Sequence, residues 1–239
     1  MNTNKNSYTF IYASIVVIIV AFLLAFVSSA LHNRQQRNID LDKMKQVLAS
    51  LNVRDVKDAE AAYRQYIVSE QLLADNGSVS QTTEPYKMGA DDTGCAFQCS
   101  TADILTKRPV YVAKVNGQTK YVFPLYGNGL WGPVWGYIAL NDDRQTVYGV
   151  YFSHEGETPG LGAEITNYEK FQAPFGGKHV MKDGRIALTV VKNGNVKDTE
   201  FEVNGLSGAT FTSKGVSDML QKDLQAYAAF LNAETESNQ

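Results

Sequence analysis

Val110-Tyr111-Val112-Ala113-Lys114-Val115-Asn116-Gly117-Gln118-Thr119-Lys120-Tyr121-Val122-Phe123 reads as two β-branched and aromatic runs joined at Asn-Gly. Asn-Gly tolerates the positive φ angles of a tight hairpin turn, so the stretch predicts an antiparallel pair, 110–115 against 119–123. The same pattern recurs outward along the chain. Residues 135–140 face 146–152 across Asn141-Asp142-Asp143, and 185–191 face 196–203 around Asn193-Gly194. Successive hairpins imply a largely antiparallel sheet.

Helical spacing flanks these strands on both sides. Leu41, Met44, Val47, Leu48 and Leu51 mark a helix over 39–51. Residues 57–73 predict a second, with Ala59, Ala62, Tyr63, Tyr66, Ile67 and Val68 inward. Val216, Leu220, Leu224, Tyr227 and Leu231 give one apolar stripe to a last helix over 213–231. Residues 75–94 are polar, with Gly77, Pro85 and Gly89, and read as a long loop. The fold class is α+β, an antiparallel sheet of hairpins packed with helices.

Residues 10–31 are almost unbroken Ile, Val, Ala, Leu and Phe, interrupted by Ser14, Ser28 and Ser29. About twenty such residues span the hydrocarbon of a bilayer, whereas a signal peptide's apolar region is usually about 7 to 15 residues. A retained transmembrane helix is the expectation. The resulting organisation is a tail over 1–9, the anchor over 10–31, a helical and loop connection over 32–94, a folded domain over 95–233, and a fraying tail over 234–239. Lys5 before the span and Arg34 and Arg37 after it favour, by a small margin, a cytoplasmic C-terminal side.

The 239-residue chain has a formal net charge of −3 and no Lys/Arg-rich patch, which argues against nucleic acid as a partner. Its two cysteines, Cys95 and Cys99, cannot by themselves complete a four-thiolate metal site or an iron–sulfur cluster. They could close a small disulfide loop in an oxidising compartment, remain thiols in a reducing one, or share a cluster with another protein.

Three loops carry the candidate chemistry. Gly127-Asn128-Gly129-Leu130-Trp131-Gly132 satisfies the dinucleotide pattern, but Pro133 and a strand follow where that fingerprint needs a helix. Its glycines suit instead a tight loop whose backbone, with Leu130 and Trp131, approaches a flat ring. His154-Glu155-Gly156-Glu157-Thr158-Pro159-Gly160-Leu161-Gly162 is the second loop. His154 with Glu155 and Glu157 suggests a metal or acid–base set, but the chain's three scattered histidines make a zinc cage a poor reading. A turn at Pro159-Gly160 would put Thr158 and Leu161 on one surface. The third is Ser207-Gly208-Ala209-Thr210-Phe211-Thr212-Ser213, between a strand and the last helix. There Thr210 stands near a helix N-terminus, whose unpaired N–H groups and dipole favour phosphate. The alternative is an ordinary helix start capped by Thr212 or Ser213. No nucleophile–base set and no P-loop occurs, so no catalytic residue and no metal ligand is assigned.

Taken together, the anchor, the run 129–137, Glu157-Thr158-Pro159-Gly160-Leu161-Gly162 and Ser207–Ser213 resemble the NqrC family over essentially the whole chain. Its members are subunits of the sodium-translocating NADH:quinone reductase. The related RnfG proteins of the Rnf complex share the second and third motifs. The resemblance implies FMN joined through its phosphate to Thr210, a bond made from FAD by a separate flavin transferase. It implies a ring held between Thr158 and Leu161 beside Leu130, Trp131 and Gly132, with Ser207, Gly208, Ala209, Thr212 and Ser213 around the attachment point. Asn204 stands where the family usually has an acidic residue. The implied protein is a single-pass component of the bacterial inner membrane with a periplasmic flavin domain. It would relay electrons between the other subunits and have no NADH or quinone site of its own. A membrane-anchored binding or assembly protein without cofactor is the competing reading from another class.

Overall fold

The computed structural model describes residues 6–90 and 93–233. The expectations for residues 1–5 and for the tail over 234–239 lie outside the described residues, as do positions 91–92 of the expected loop. The chain divides into two compact units, Met1–Asp42 and Lys43–Gln239.

One continuous helix, α1, spans Asn6–Ser50 and so begins inside the stretch expected as a tail. Within the first unit its residues 10–31 expose Phe, Ile, Val and Leu side chains all round. Among the described residues it is the one helix long and apolar enough to cross a membrane. Twenty-two residues at ~1.5 Å each give about 33 Å, the depth of a hydrocarbon core.

The second unit contains the last turns of α1, where Met44, Val47, Leu48 and Leu51 are buried as their spacing predicts. Next comes α2 (Ala59–Tyr66), capped by the Asp58 side chain, which accepts from Ala61 N. The helix expected to continue to residue 73 stops at Tyr66, and Ile67–Leu73 forms β1. Both neighbours of β1 in the sheet offer it backbone partners, and that long-range pairing overrides local propensity. Val68, expected inward, is 49% exposed. The expected loop over 75–94 also contains a strand, β2 (Val79–Thr83), which pairs with β1. Gly77, at φ 80°, lies in the turn between them.

Four further strands follow: β3 (Pro109–Val115), β4 (Gln118–Asn128), β5 (Pro133–Leu140) and β6 (Val147–His154). They complete an antiparallel six-stranded sheet in the order β2-β1-β3-β4-β5-β6. The Asn116-Gly117 hairpin forms as predicted, with φ 51° and 80° at its two turn residues and Val115 opposite Gln118. Both faces of the sheet are covered. Val110, Phe123, Leu125, Val134 and Ile138 join Phe152, Leu220, Leu224 and Tyr227 in the main core. Tyr111 and Tyr137 belong to a second aromatic layer, in which Tyr111 meets both Tyr137 and Tyr63 edge-on. Trp135 Nε1 donates to Gln46 Oε1 (3.1 Å), tying α1 to β5. Cys95 and Cys99 are free thiols, and burial pushes Cys99 up to about 11.

The hairpin expected over 185–191 and 196–203 does not form. Met181–Lys182 (β7) and Arg185–Ile186 (β8) make a small hairpin. Thr189–Val191 (β9) instead pairs in parallel with Glu202–Asn204 (β10). Asn193-Gly194 does turn the chain, but the Glu202 carboxylate accepts from Lys197 N and Asp198 N (2.6 and 3.1 Å). These local bonds coil 197–201 and compete with a ladder. Glu202–Asn204 therefore re-enters beside β9 in the same direction. Asn204 Oδ1 accepts from Gly194 N (2.9 Å).

The last helix starts three residues earlier than expected, as α3 (Thr210–Ala226), and ends as a separate short turn, α4 (Ala228–Asn232). All five stripe residues, Val216, Leu220, Leu224, Tyr227 and Leu231, are buried.

Candidate functional site

Thr210 is the first residue of α3. The N-cap is Ala209, no side chain caps it, and the first turn carries no acidic residue. This corrects the alternative that Thr212 or Ser213 caps the helix. The positive end of the α3 dipole therefore opens onto an exposed threonine, an arrangement that suits an anion.

The neighbouring hydroxyls are engaged elsewhere. Ser213, 3% exposed, accepts from Leu206 N through Oγ (2.9 Å), fastening the loop before the helix. Thr212, 1% exposed, donates from Oγ1 to Glu157 Oε2 (2.5 Å). Ser207 and Gly208 are exposed, Ala209 is buried, and Gly208 has φ 77°. A Cβ on Gly208 would come within 2.9 Å of Leu161 Cδ2, so the second loop lies directly against the threonine motif. On the other flank, a cleft of about 220 Å³ is lined by Thr210, Gly205, Lys192, Asn193 and Lys214.

The second loop is built as the sequence predicts. Leu161 N donates to Thr158 O (3.1 Å) across Pro159 and Gly160, the latter at φ 74°, as in a type II turn. Thr158 and Leu161 are both exposed. The first loop is a tight connection between β4 and β5, closed by Gly129 N donating to Gly132 O (2.8 Å). Leu130 is 50% and Trp131 69% exposed. With Leu161 at 43% and Phe211 at 70%, large apolar side chains stand bare on all three loops. Bare apolar side chains on several converging loops mark a surface meant to be covered.

Glycines let the loops approach. A Cβ on Gly215 would collide with Asn128 O and lie 3.2 Å from Gly129 Cα. Gly127 likewise leaves only room enough for Met219. Gly215→Val should therefore push the first turns of α3 off the end of β4. The expected loss is about 2–3 kcal/mol, an overpacking cost, seen as a lower denaturant midpoint.

Glu157 has a place that sequence reasoning missed. The sequence suggests for it only a metal or acid–base set with His154 and Glu155. In the structure the residue is 4% exposed and its carboxylate links the loops. Oε1 accepts from Trp131 N (2.9 Å), Oε2 accepts from Thr212 Oγ1, and the Glu157 N–H donates to His154 Nδ1 (3.1 Å). Burial raises its pKa, but hydrogen bonds from Thr212, Trp131 and Leu130 outweigh that and hold it below the ordinary value. No short motif signals these contacts, because the partners lie 26 and 55 residues away in the chain.

Known proteins resemble this chain in sequence and in fold. Residues 129–225, which take in the first loop from Gly129 onward and the whole of the other two, match the family model for an FMN-binding domain. The chain is 30% identical to the NqrC protein of the Na(+)-translocating NADH-quinone reductase of Pseudomonas aeruginosa, over 92% of this chain and 91% of that protein. The crystal structure of the corresponding reductase subunit from Parabacteroides distasonis superposes with a TM-score of 0.76 at 40% identity, covering 85% of this chain and 98% of that one. That of Shewanella oneidensis NqrC gives 0.61 at 25% identity, covering 82% and 100%. With its anchor-length apolar helix, its antiparallel sheet and its three converging loops, this chain belongs to the NqrC family of Na(+)-translocating NADH-quinone reductase subunits.

Proposed function

We propose that this chain holds FMN in phosphoester linkage to the Thr210 hydroxyl and relays electrons between neighbouring subunits of a membrane NADH:quinone reductase that exports sodium. One observation carries the attachment point. Of the three hydroxyls on the first turns of α3, Thr210 is exposed, whereas Thr212 and Ser213 are buried in structural hydrogen bonds. The residues present fit such a group. An uncapped helix N-terminus suits the phosphate, and bare Leu130, Trp131, Leu161 and Phe211 suit a flat ring.

Bound FMN supplies reversible electron uptake at its ring system. The chain's own residues do the rest. Thr210 fixes the cofactor to the fold, so it is not lost between electron transfers. The uncapped N–H groups of the first turn of α3 would hold the phosphate. Thr158 and Leu161, on one surface of the type II turn, would hold the ring, with Leu130, Trp131 and Gly132 beside it, and would shield it from water. Gly160, Ser207, Gly208 and Ala209 shape the backbone around the attachment point. Maturation needs a flavin transferase acting on FAD, and the exposed threonine is open to one. The anchor helix sits in the lipid of the bacterial inner membrane, with the folded domain on the periplasmic side.

The test is the intact mass of the chain purified in its native complex, with in-gel flavin fluorescence after denaturation. A bare chain in an active complex would refute the reading. Leu161→Ala should leave the linkage and raise the flavin midpoint potential. Removing the aliphatic wall admits water, which stabilises the more charged reduced ring, by about 30 mV for a loss of ~1.4 kcal/mol over two electrons. A potentiometric titration reads the shift, and an unchanged potential would take Leu161 away from the ring.

A further inference from the structure

Glu157 is a buried carboxylate that the electron relay does not itself require. Such a charge is ordinarily held by a cation. Among the described residues no salt bridge reaches it; its main stabilisers are backbone N–H groups of the first loop and the Thr212 hydroxyl, with a smaller electrostatic contribution from the nearby His154. Thr212 stands on the first turn of α3, so the charge also faces the positive end of that helix. The motif glycines make room for it. A Cβ on Gly129 would fall inside contact distance of Glu157 Oε1, and one on Gly162 inside that of both Glu157 Oε2 and Thr212 Oγ1. Two glycines of two loops are thus explained by the space of one carboxylate.

We propose that Glu157 is the positioning residue of the site: its carboxylate clamps the Leu130–Trp131 loop and the Thr158–Leu161 turn onto the first turn of α3, and its fixed negative charge holds the flavin potential down. The second half rests on the reading of Thr210 as the flavin site. The first half does not, because the clamp joins protein to protein. With the carboxylate ionised, two N–H groups and a hydroxyl converge on it. Without it, three donors lose their acceptor and the loop that carries Trp131 is free to leave the helix.

The experiment has two readouts. In full-length chain carrying Thr210→Ala, and so no flavin, amide hydrogen exchange at Leu130 and Trp131 reports the clamp. Glu157→Ala should speed it roughly tenfold or more, equivalent to ~1.4 kcal/mol of local opening. Thr212→Val, which keeps the side-chain shape, should speed it in the same direction should Glu157→Ala fail to fold. Unchanged exchange in either folded variant overturns the clamp. In the intact complex, Glu157→Gln preserves an amide oxygen for the N–H donors but removes the charge. It should keep covalent flavin by gel fluorescence and raise the midpoint potential. An unmoved potential on a flavin-loaded Glu157→Gln chain overturns the electrostatic role. A wild-type chain without flavin would refute the Thr210 reading, and with it the role in potential, while leaving the exchange result to decide the clamp.

Discussion

Thr210→Ala is expected to remove covalent flavin completely while leaving the domain folded. The hydroxyl is the proposed point of attachment, and alanine offers no oxygen to esterify. Structural loss should be small, within about 0.5 kcal/mol, because Thr210 is exposed and α3 is not capped by its side chain. Thr210→Ser retains the hydroxyl at the same helix position and should retain the label. Thr212→Ala and Ser213→Ala should show the opposite pattern, keeping the label but costing stability. Thr212 holds Glu157 and Ser213 holds Leu206, both at buried positions. Denaturing gels read for flavin fluorescence, set beside thermal melts, separate the two classes. A fluorescent Thr210→Ala band would end the assignment.

Glu70→Ala should be the most damaging single truncation for stability, by about 3–5 kcal/mol. Glu70 lies on β1 and has no exposed surface. Oε1 accepts from Tyr63 Oη and Tyr86 N, both at 2.8 Å, and Oε2 from Phe97 N at 2.6 Å. One carboxylate thus joins α2, β1 and the segment before β3. Its loss would strand three donors in an apolar layer, where each unmade bond costs about 1–3 kcal/mol. For a domain of this size the melting temperature should fall by about 6 to 20 °C. Glu70→Gln keeps the shape and should lose much less.

The pH dependence follows from the sign of the Glu70 shift. Burial raises its pKa, and hydrogen bonds from Tyr86, Phe97 and Tyr63 only partly oppose this. The folded chain therefore binds that proton more readily than the unfolded chain. Between the ordinary carboxylate value and the raised one, the Glu70 contribution to stability falls as pH rises. Denaturation midpoints across that window should slope less steeply for Glu70→Gln than for wild type.

Local chemistry made several elements legible without coordinates. Asn116-Gly117 needed only its own turn preference to announce the β3–β4 hairpin, and the residues 10–31 needed only their apolarity to announce a membrane-length helix. The Val216 to Leu231 stripe was readable because helical periodicity is a local property. The Thr158–Leu161 turn was readable because Pro fixes φ at one position and Gly tolerates the positive φ required at the next. Where pairing partners are distant, the local signal misled. Ile67–Leu73 has helical neighbours yet becomes a strand between β2 and β3, and Asn193-Gly194 promises a hairpin that side-chain bonds from Glu202 dissolve into a parallel pair. The same divide runs through the site. Its three loops were visible as strings of glycine, threonine and aromatic residues. That Thr212 and Ser213 are consumed in packing, leaving Thr210 open, and that Glu157 joins all three loops, was decided by tertiary structure alone. A hydrogen bond between residues 55 positions apart leaves no local trace in the chain that makes it.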